Sequence, residues 1–373
     1  MADIPFLNLR EINLAIEDEI IKAVVRVVKS GRYIFGKECT TFESDMAKDL
    51  SQNQGFVAGC NSGTDALILS LKAAGVRPND EVITVSHTAI PTVAAIVTTG
   101  AVPIFVDIDA DTWVMDISTV KNAVTPKTKA LVPVHLYGNM VDIIGLKKIL
   151  LDMGRDDITI IEDCAQAQGA LLRGKQAGTL GNFGAYSFYP SKNIGALGDG
   201  GAVFTRDKDA WQKILMYRNY GQKDRYNAEV SGGMNSRLDE MQAAILAVKL
   251  KYLHDWNAQK LKLMEEYRRA LADLPLKFQK VTSSCTPAWH LCVVALDNEF
   301  ARDKFQERLK SAGIQTLIHY PQPTHLQCAF KNYYNKKLPV TESLAKRILS
   351  LPFSYEFDKD KFYQIIQIIR NCI

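Results

Sequence analysis

From about residue 20 to residue 250, short β-branched apolar runs alternate with stretches whose apolar residues recur at helical spacing. The apolar runs predict strands at 55–58, 81–85, 102–106, 130–134, 159–161, 184–188 and 201–204. Strands separated by helical crossovers imply an α/β fold with a mostly parallel seven-stranded sheet between helices. In such sheets ligands sit beyond the carboxyl ends of the strands, in loops that lead into helices. The pattern then changes. Residues 238–256 read as one long helix, with Ser236 or Asn235 as its cap. After Leu274 and Pro275 come shorter elements, with helices expected near 300–311 and 342–350. They predict a smaller α+β C-terminal domain, joined by an N-terminal helix near 14–28. The expected division is therefore residues 1–25 packing with the small domain, 26–255 as the large domain and 256–373 as the small one.

Composition narrows the function classes. A chain of 373 residues is comfortable for two domains, and 47% hydrophobic residues is enough for a sizeable core. The net charge of +4 is small and its lysines and arginines are scattered, so neither a nucleic-acid arm nor a polybasic membrane patch is expected. Seven cysteines without a C-x-x-C pair argue against a zinc site or a disulfide framework, and no metal is expected. Acidic residues stand near the N-terminus where a signal peptide would be basic, and no run is apolar enough to span a membrane. A cytoplasmic protein is the plain expectation.

Three segments fall where ligand loops belong. NSGTDAL, residues 61–67, places small polar residues before a helix, so free N–H groups and the positive helix end converge as a phosphate cradle. An ordinary strand-to-helix turn capped by Ser62 or Thr64 would look the same. TIIEDCAQAQG, residues 159–169, delivers Asp163 to a sheet edge, where a charge needs a partner. A pyridinium nitrogen is one such partner; a helix-capping role is the other reading, and Gln166 follows one turn later. AYSFYPSKNIGALGDGG, residues 185–201, ends a strand in Pro190 and puts Lys192 in a glycine-rich loop. A lysine in an apolar loop pocket has its pKa lowered and forms Schiff bases, although most loop lysines are merely solvated. In this order, cradle, aspartate and loop lysine are the parts that a pyridoxal-phosphate site requires.

The same segments resemble the signatures of the DegT/DnrJ/EryC1/StrS sugar aminotransferases, which are fold-type I pyridoxal-phosphate enzymes. The resemblance extends from SGRYIFGKE (30–38) through MNSRLDEMQAAIL (234–246) to IHYPQPTHLQ (318–327). It implies that Lys192 carries the cofactor covalently and that Asp163 meets its ring nitrogen, with Gln166 near the phenolic oxygen. Gly63, Thr64 and Ser187 would hold the phosphate. Asn235 would reach the phosphate of a neighbouring subunit's cofactor, giving a homodimer with shared sites. Arg218 and Arg237 are implied candidates for substrate anions, with structural ion pairs as the alternative. Tyr33, Tyr189, His319, Tyr320 and His325 fall in segments that line the sugar pocket of relatives. SHTAIPT (86–92) has Ala89 where many relatives carry a ring that stacks on the cofactor, and His87 is expected to take that role.

The implied reaction moves an amino group from L-glutamate to a nucleotide-linked keto-sugar, with pyridoxamine phosphate as the intermediate form of the cofactor. SHTAIPTVAAI together with IHYPQPTHLQ looks most like enzymes that aminate C-3 of a dTDP-3-keto-6-deoxyhexose, as in deoxyamino-sugar or O-antigen biosynthesis. C-4 amination of a UDP- or GDP-linked 4-keto-6-deoxy sugar is the runner-up, and a non-catalytic cofactor-binding regulator is the remote alternative. GALGDGG lacks the G-x-G-x-x-G spacing, so a dinucleotide fold is excluded.

Overall fold

A computed structural model describes residues 4–334 and 336–373. Seven strands form the central sheet: β1 (Phe56–Cys60), β2 (Glu81–Val85), β3 (Val102–Val106), β4 (Thr128–Val132), β5 (Thr159–Asp163), β6 (Phe183–Ser187) and β7 (Gly201–Thr205). Their spatial order is β1-β7-β6-β5-β4-β2-β3. The pairs β3–β2, β2–β4, β4–β5 and β5–β6 are parallel. β7 runs antiparallel to both β6 and β1. A parallel return would need a helical crossover. Pro190 and the glycines of the lysine loop forbid a helix there, so the chain comes straight back.

Every residue of β6 and β7 is buried, as a sheet covered on both faces requires. The helix Gly63–Ala73 fills one face; its residues Ala66 to Leu71 are all buried. On the other face, Phe42, Leu246 and Ile245 belong to the larger apolar cluster.

Two sequence expectations fail at helix ends. Residues 238–256 form two helices, Glu240–Leu250 and Leu253–Ala270. The cap of the first is Asp239, whose carboxylate accepts from the N–H of Gln242 at 2.8 Å. Ser236 instead donates to Asp65 Oδ2 at 2.7 Å, tying this segment to the cradle helix. Near the C-terminus, the helix is Pro339–Arg347 and the next residues are a strand, Ile348–Leu351. With β8 (Lys277–Phe278) and β9 (Cys292–Ala295), that strand, β10, makes an antiparallel sheet in the order β8-β9-β10.

A second apolar cluster, including Tyr267, Phe305, Leu309, Ile365 and Ile369, packs around this small sheet. The helix Leu253–Ala270 serves both cores: Leu253 and Trp256 join the first, and Leu263, Met264 and Tyr267 the second. The N-terminal segment is divided in the same way. Ile4 pairs with the backbone at Gly313 and Gln315 and joins the second cluster, whereas Ile20, Ala23 and Val27 of the helix Glu17–Ser30 bury in the larger core. Among the described residues no helix is long and apolar enough to cross a membrane.

Candidate active site

Beyond the carboxyl ends of β1, β5 and β6 lies a cavity of about 420 Å³, within the size range of cofactor pockets. Its walls include Gly63, Thr64, Asp163, Gln166, Ser187, Tyr189, Lys192, His319 and Tyr320, so nine expected site residues converge on it. Ser62 caps the helix Gly63–Ala73 through its hydroxyl, which accepts from the N–H of Asp65 at 3.1 Å. The first helical turn thus opens its N–H groups toward the cavity. A Cβ on Gly63 would lie 2.5 Å from that of Ser187, so only glycine lets the cradle and β6 approach this closely.

Opposite stands Asp163, 4% exposed. Its Oδ2 accepts from the Thr92 hydroxyl at 2.8 Å and its Oδ1 from the Ala165 N–H at 3.1 Å. Burial outweighs these donors and raises its pKa above the ordinary carboxylate value. Such a carboxylate calls for a cationic partner.

Lys192 is set in a loop pinned at several points. The Gln168 side chain donates to Ser187 O at 2.6 Å and accepts from the Ile194 N–H at 3.1 Å. Asn193 donates to Asn257 Oδ1 and to Ala288 O, and Lys249 donates to Gly195 O at 2.7 Å. Gly195 packs so closely on Pro190 that a Cβ would sit 2.2 Å from its carbonyl oxygen. Burial pushes the Lys192 amine down to about 8, with Asp163 pulling weakly the other way. Gln166 accepts from the Tyr137 N–H at 2.7 Å and donates to the Tyr320 hydroxyl at 3.1 Å. Burial raises Tyr320 to about 12 and lowers His319 to about 4, so both are neutral near neutral pH.

Six expected residues are elsewhere. His87 is turned behind the wall, where its Nε2 pairs with the Tyr137 hydroxyl at 2.9 Å; Thr88, Ala89 and Pro91 face the cavity instead. His325 is buried against Ser86 Oγ at 2.6 Å and Glu342. Arg218 is the structural ion pair: its Nη1 donates to Glu43 at 2.5 Å and to Gly59 O at 2.7 Å, beneath the Phe35 ring. Arg237 lies over Phe35 and Tyr220 and donates to Asn235 Oδ1 at 2.9 Å. Asn235 and Tyr33 are exposed on the surface of the chain. Conversely, Thr92, Gln168 and His290 were not singled out in the sequence. The first two lie inside quoted motifs; His290 has no local signal.

One buried trio, His135, Glu162 and Cys164, has its ligand atoms within 4.8 Å of one another. Glu162 already accepts from His135 and from the N–H groups of Gly178, Leu180 and Gly181. His135 Nδ1 accepts from the Val141 N–H. The Glu162 oxygens are thus engaged in folding the turn at Gly178, Leu180 and Gly181, and His135 Nδ1 in holding Val141.

The profile of the DegT/DnrJ/EryC1/StrS aminotransferase family matches residues 14–370. The chain belongs to this family. It is 42% identical to the erythromycin biosynthesis sensory transduction protein EryC1 of Saccharopolyspora erythraea, over 99% of both chains. It is 40% identical to the dTDP-3-amino-3,4,6-trideoxy-α-D-glucose transaminase of Streptomyces venezuelae, over 99% of this chain and 96% of that one. The crystal structure of S. venezuelae DesV in complex with a ketimine intermediate superposes with a TM-score of 0.94 at 39% identity, covering 100% of this chain and 98% of that one. A Bacillus subtilis relative, NtdA, with a TM-score of 0.91 and 28% identity over 100% of this chain and 85% of its own, was solved with pyridoxamine phosphate bound. This member of the family is accordingly a pyridoxal-phosphate-dependent aminotransferase, and the cradle, the buried carboxylate and the loop lysine fit that cofactor.

Proposed function

We propose that the protein transfers the amino group of L-glutamate to C-3 of a dTDP-linked 3-keto-6-deoxyhexose. The observation that carries the chemistry is the placement of Lys192 and Asp163 in one buried cavity, beside a phosphate-sized cradle at a helix N-terminus. Bound pyridoxal phosphate would supply an electron sink. The remaining work falls to the chain. Asp163 holds a proton on the ring nitrogen, and Gly63, Thr64 and Ser187 take the phosphate. Lys192 Nζ, at about 8, is partly the free amine at neutral pH. It serves as nucleophile and, once released, takes the Cα proton of the donor and returns it to product.

Position C-3 is favoured because the S. venezuelae relative and a 37% identical Acidithiobacillus ferrooxidans UDP-N-acetyl-3-dehydro-α-D-glucosamine 3-aminotransferase both act there by name. Glutamate is favoured by a 30% identical B. subtilis 3-oxo-glucose-6-phosphate:glutamate aminotransferase. The exposed Asn235 suits a second subunit completing the site, and we take the active unit to be a cytoplasmic homodimer. A purely regulatory role, as the name of EryC1 would have it, gives no reason to keep a depressed lysine opposite a buried aspartate.

The test is spectroscopic. L-glutamate should convert the visible band of the bound cofactor to a pyridoxamine-like band, and a dTDP-3-keto-6-deoxyhexose should restore it. Lys192→Ala should abolish turnover. Restoration by a 4-keto sugar alone would move the reaction to C-4, and a band indifferent to glutamate would sink the donor assignment.

A further inference from the structure

One turn serves both the cavity and the lysine loop. Asp163 and Gln166 line the cavity from it, while Gln168, 2% exposed, reaches the loop that carries Lys192. The turn is closed by its own backbone: the Ala167 N–H donates to Cys164 O and the Ala170 N–H to Ala167 O, both at 3.0 Å. At Gly169, φ +79°, a Cβ would lie 2.6 Å from Asn257 Nδ2, so only glycine lets the turn seat against the helix Leu253–Ala270.

The Gln168 amide bridges the chain on either side of the lysine. Its Nε2 donates to Ser187 O at 2.6 Å, before Lys192, and its Oε1 accepts from the Ile194 N–H at 3.1 Å, after it. A carbonyl only accepts and an N–H only donates, so this pair of contacts needs a donor and an acceptor side by side. The backbone of residue 168 adds a second tie. Its carbonyl accepts from Asn257 Nδ2 at 2.8 Å, and Asn257 Oδ1 accepts in turn from Asn193 Nδ2 at 2.8 Å. Both residues that follow Lys192 therefore lead back to residue 168. Ser187 has another hold, since it pairs with Gly201 in the sheet. The phosphate side of the site thus stands without this amide, and the lysine side leans on it. We propose that Gln168 is a positioning residue for the reaction: by holding Ile194 directly and Asn193 through Asn257, it sets where Lys192 Nζ stands relative to Asp163 of the same turn. A lysine has a flexible four-carbon stem, so a loose root multiplies the places its amine visits and slows its attack through lost orientation. The inference rests on Lys192 being the reacting amine of the proposed function.

The test uses the full-length protein freed of cofactor, with two probes. Pyridoxal phosphate is captured when Lys192 Nζ forms a C=N bond to its aldehyde carbon and one water leaves, a step followed by visible absorbance. Pyridoxamine phosphate has no aldehyde and reports binding without that bond, by fluorescence titration. Gln168→Met keeps the length of the side chain and removes both hydrogen-bonding groups. It should slow capture about tenfold and change pyridoxamine phosphate affinity by less than about twofold. A loss shared equally by the two probes would make Gln168 a support of the fold alone, and unslowed capture would mean that it does not place the lysine; either overturns the proposal. Should Gln168→Met fail to fold, Asn257→Leu is measured in the same way and must show the same split, and an equal loss or none overturns the proposal there too. Wild-type protein that captures nothing would instead refute the role of Lys192 itself, so the two failures are told apart.

Discussion

A carboxyl group as buried as Asp163, with one threonine hydroxyl and one amide N–H to share its charge, is a reluctant anion until a cation arrives. That makes Thr92 a lever on the cofactor. Thr92→Val removes one donor to a charged acceptor, which should weaken cofactor retention by roughly tenfold. The sign with pH follows. Asp163 already titrates above its ordinary value, and the variant raises it further, so the acid limb of cofactor binding should move to higher pH. Equilibrium dialysis of the cofactor across the acidic range measures both effects. At this scale the sequence reveals residues whose chemistry is unusual for their place, such as a lysine between Pro190 and a glycine run. It does not reveal orientation. His87 and Ala89 are two positions apart in one motif, and only the packing of Tyr137 against His87 decides which faces the cavity. Arg218 reads as an anion binder until Glu43, far away in sequence, is brought against it.

Among the elements, strands are the most legible because apolar runs between breakers leave few alternatives. Five of the seven expected spans shift by a residue or two at an end, and β2 and β3 coincide with theirs. The break at Lys251 and Tyr252 was invisible for a physical reason: both residues keep near-helical backbone angles, and neither glycine nor proline marks the turn. Residues 348–350 fall inside the helix expected at 342–350 because this apolar stretch suits either state, and only pairing with β9 settles it as strand. The cradle helix carries its own prediction. Gly63→Ala would press a methyl against Ser187, so either the helix or β6 must retreat from the phosphate position. Cofactor affinity should fall by an order of magnitude or more, since a misplaced anion loses several N–H contacts at once. A fluorescence titration with pyridoxal phosphate, beside a circular dichroism spectrum showing the fold intact, checks it.

Over the whole molecule, the N-terminal segment and the helix Leu253–Ala270 come together behind Lys192. There a closed chamber of about 20 Å³ is bounded by Asn13, Lys192, Lys249, Lys260, Ser354 and Tyr355, room for about one water. Asn13 Oδ1, Ser354 Oγ and Tyr355 OH are buried around it without protein partners. Lys260→Arg puts a larger and permanently charged group where burial already disfavours a cation, and should lower the melting temperature. Lys260 titrates at about 8 in the fold against an ordinary 10.5, so between those values the unfolded chain holds the extra proton and the native state gains stability as pH rises. Lys260→Met lacks that gain. Its melting temperature should therefore shift in favour of the wild type as the buffer moves from about 8 to 10.5. The lysine loop has a further consequence. Because it springs from β6 and lands on β7, its immediate neighbour, it is an arch with both feet set in the same sheet. Such an arch does not swing, so there is a single berth at its crown. The amino donor and the keto acceptor must both bring their reacting carbon to that one nitrogen, and must therefore take turns. Initial rates measured against one substrate at several fixed levels of the other should give parallel double-reciprocal lines; lines that intersect would mean that both can be aboard at once.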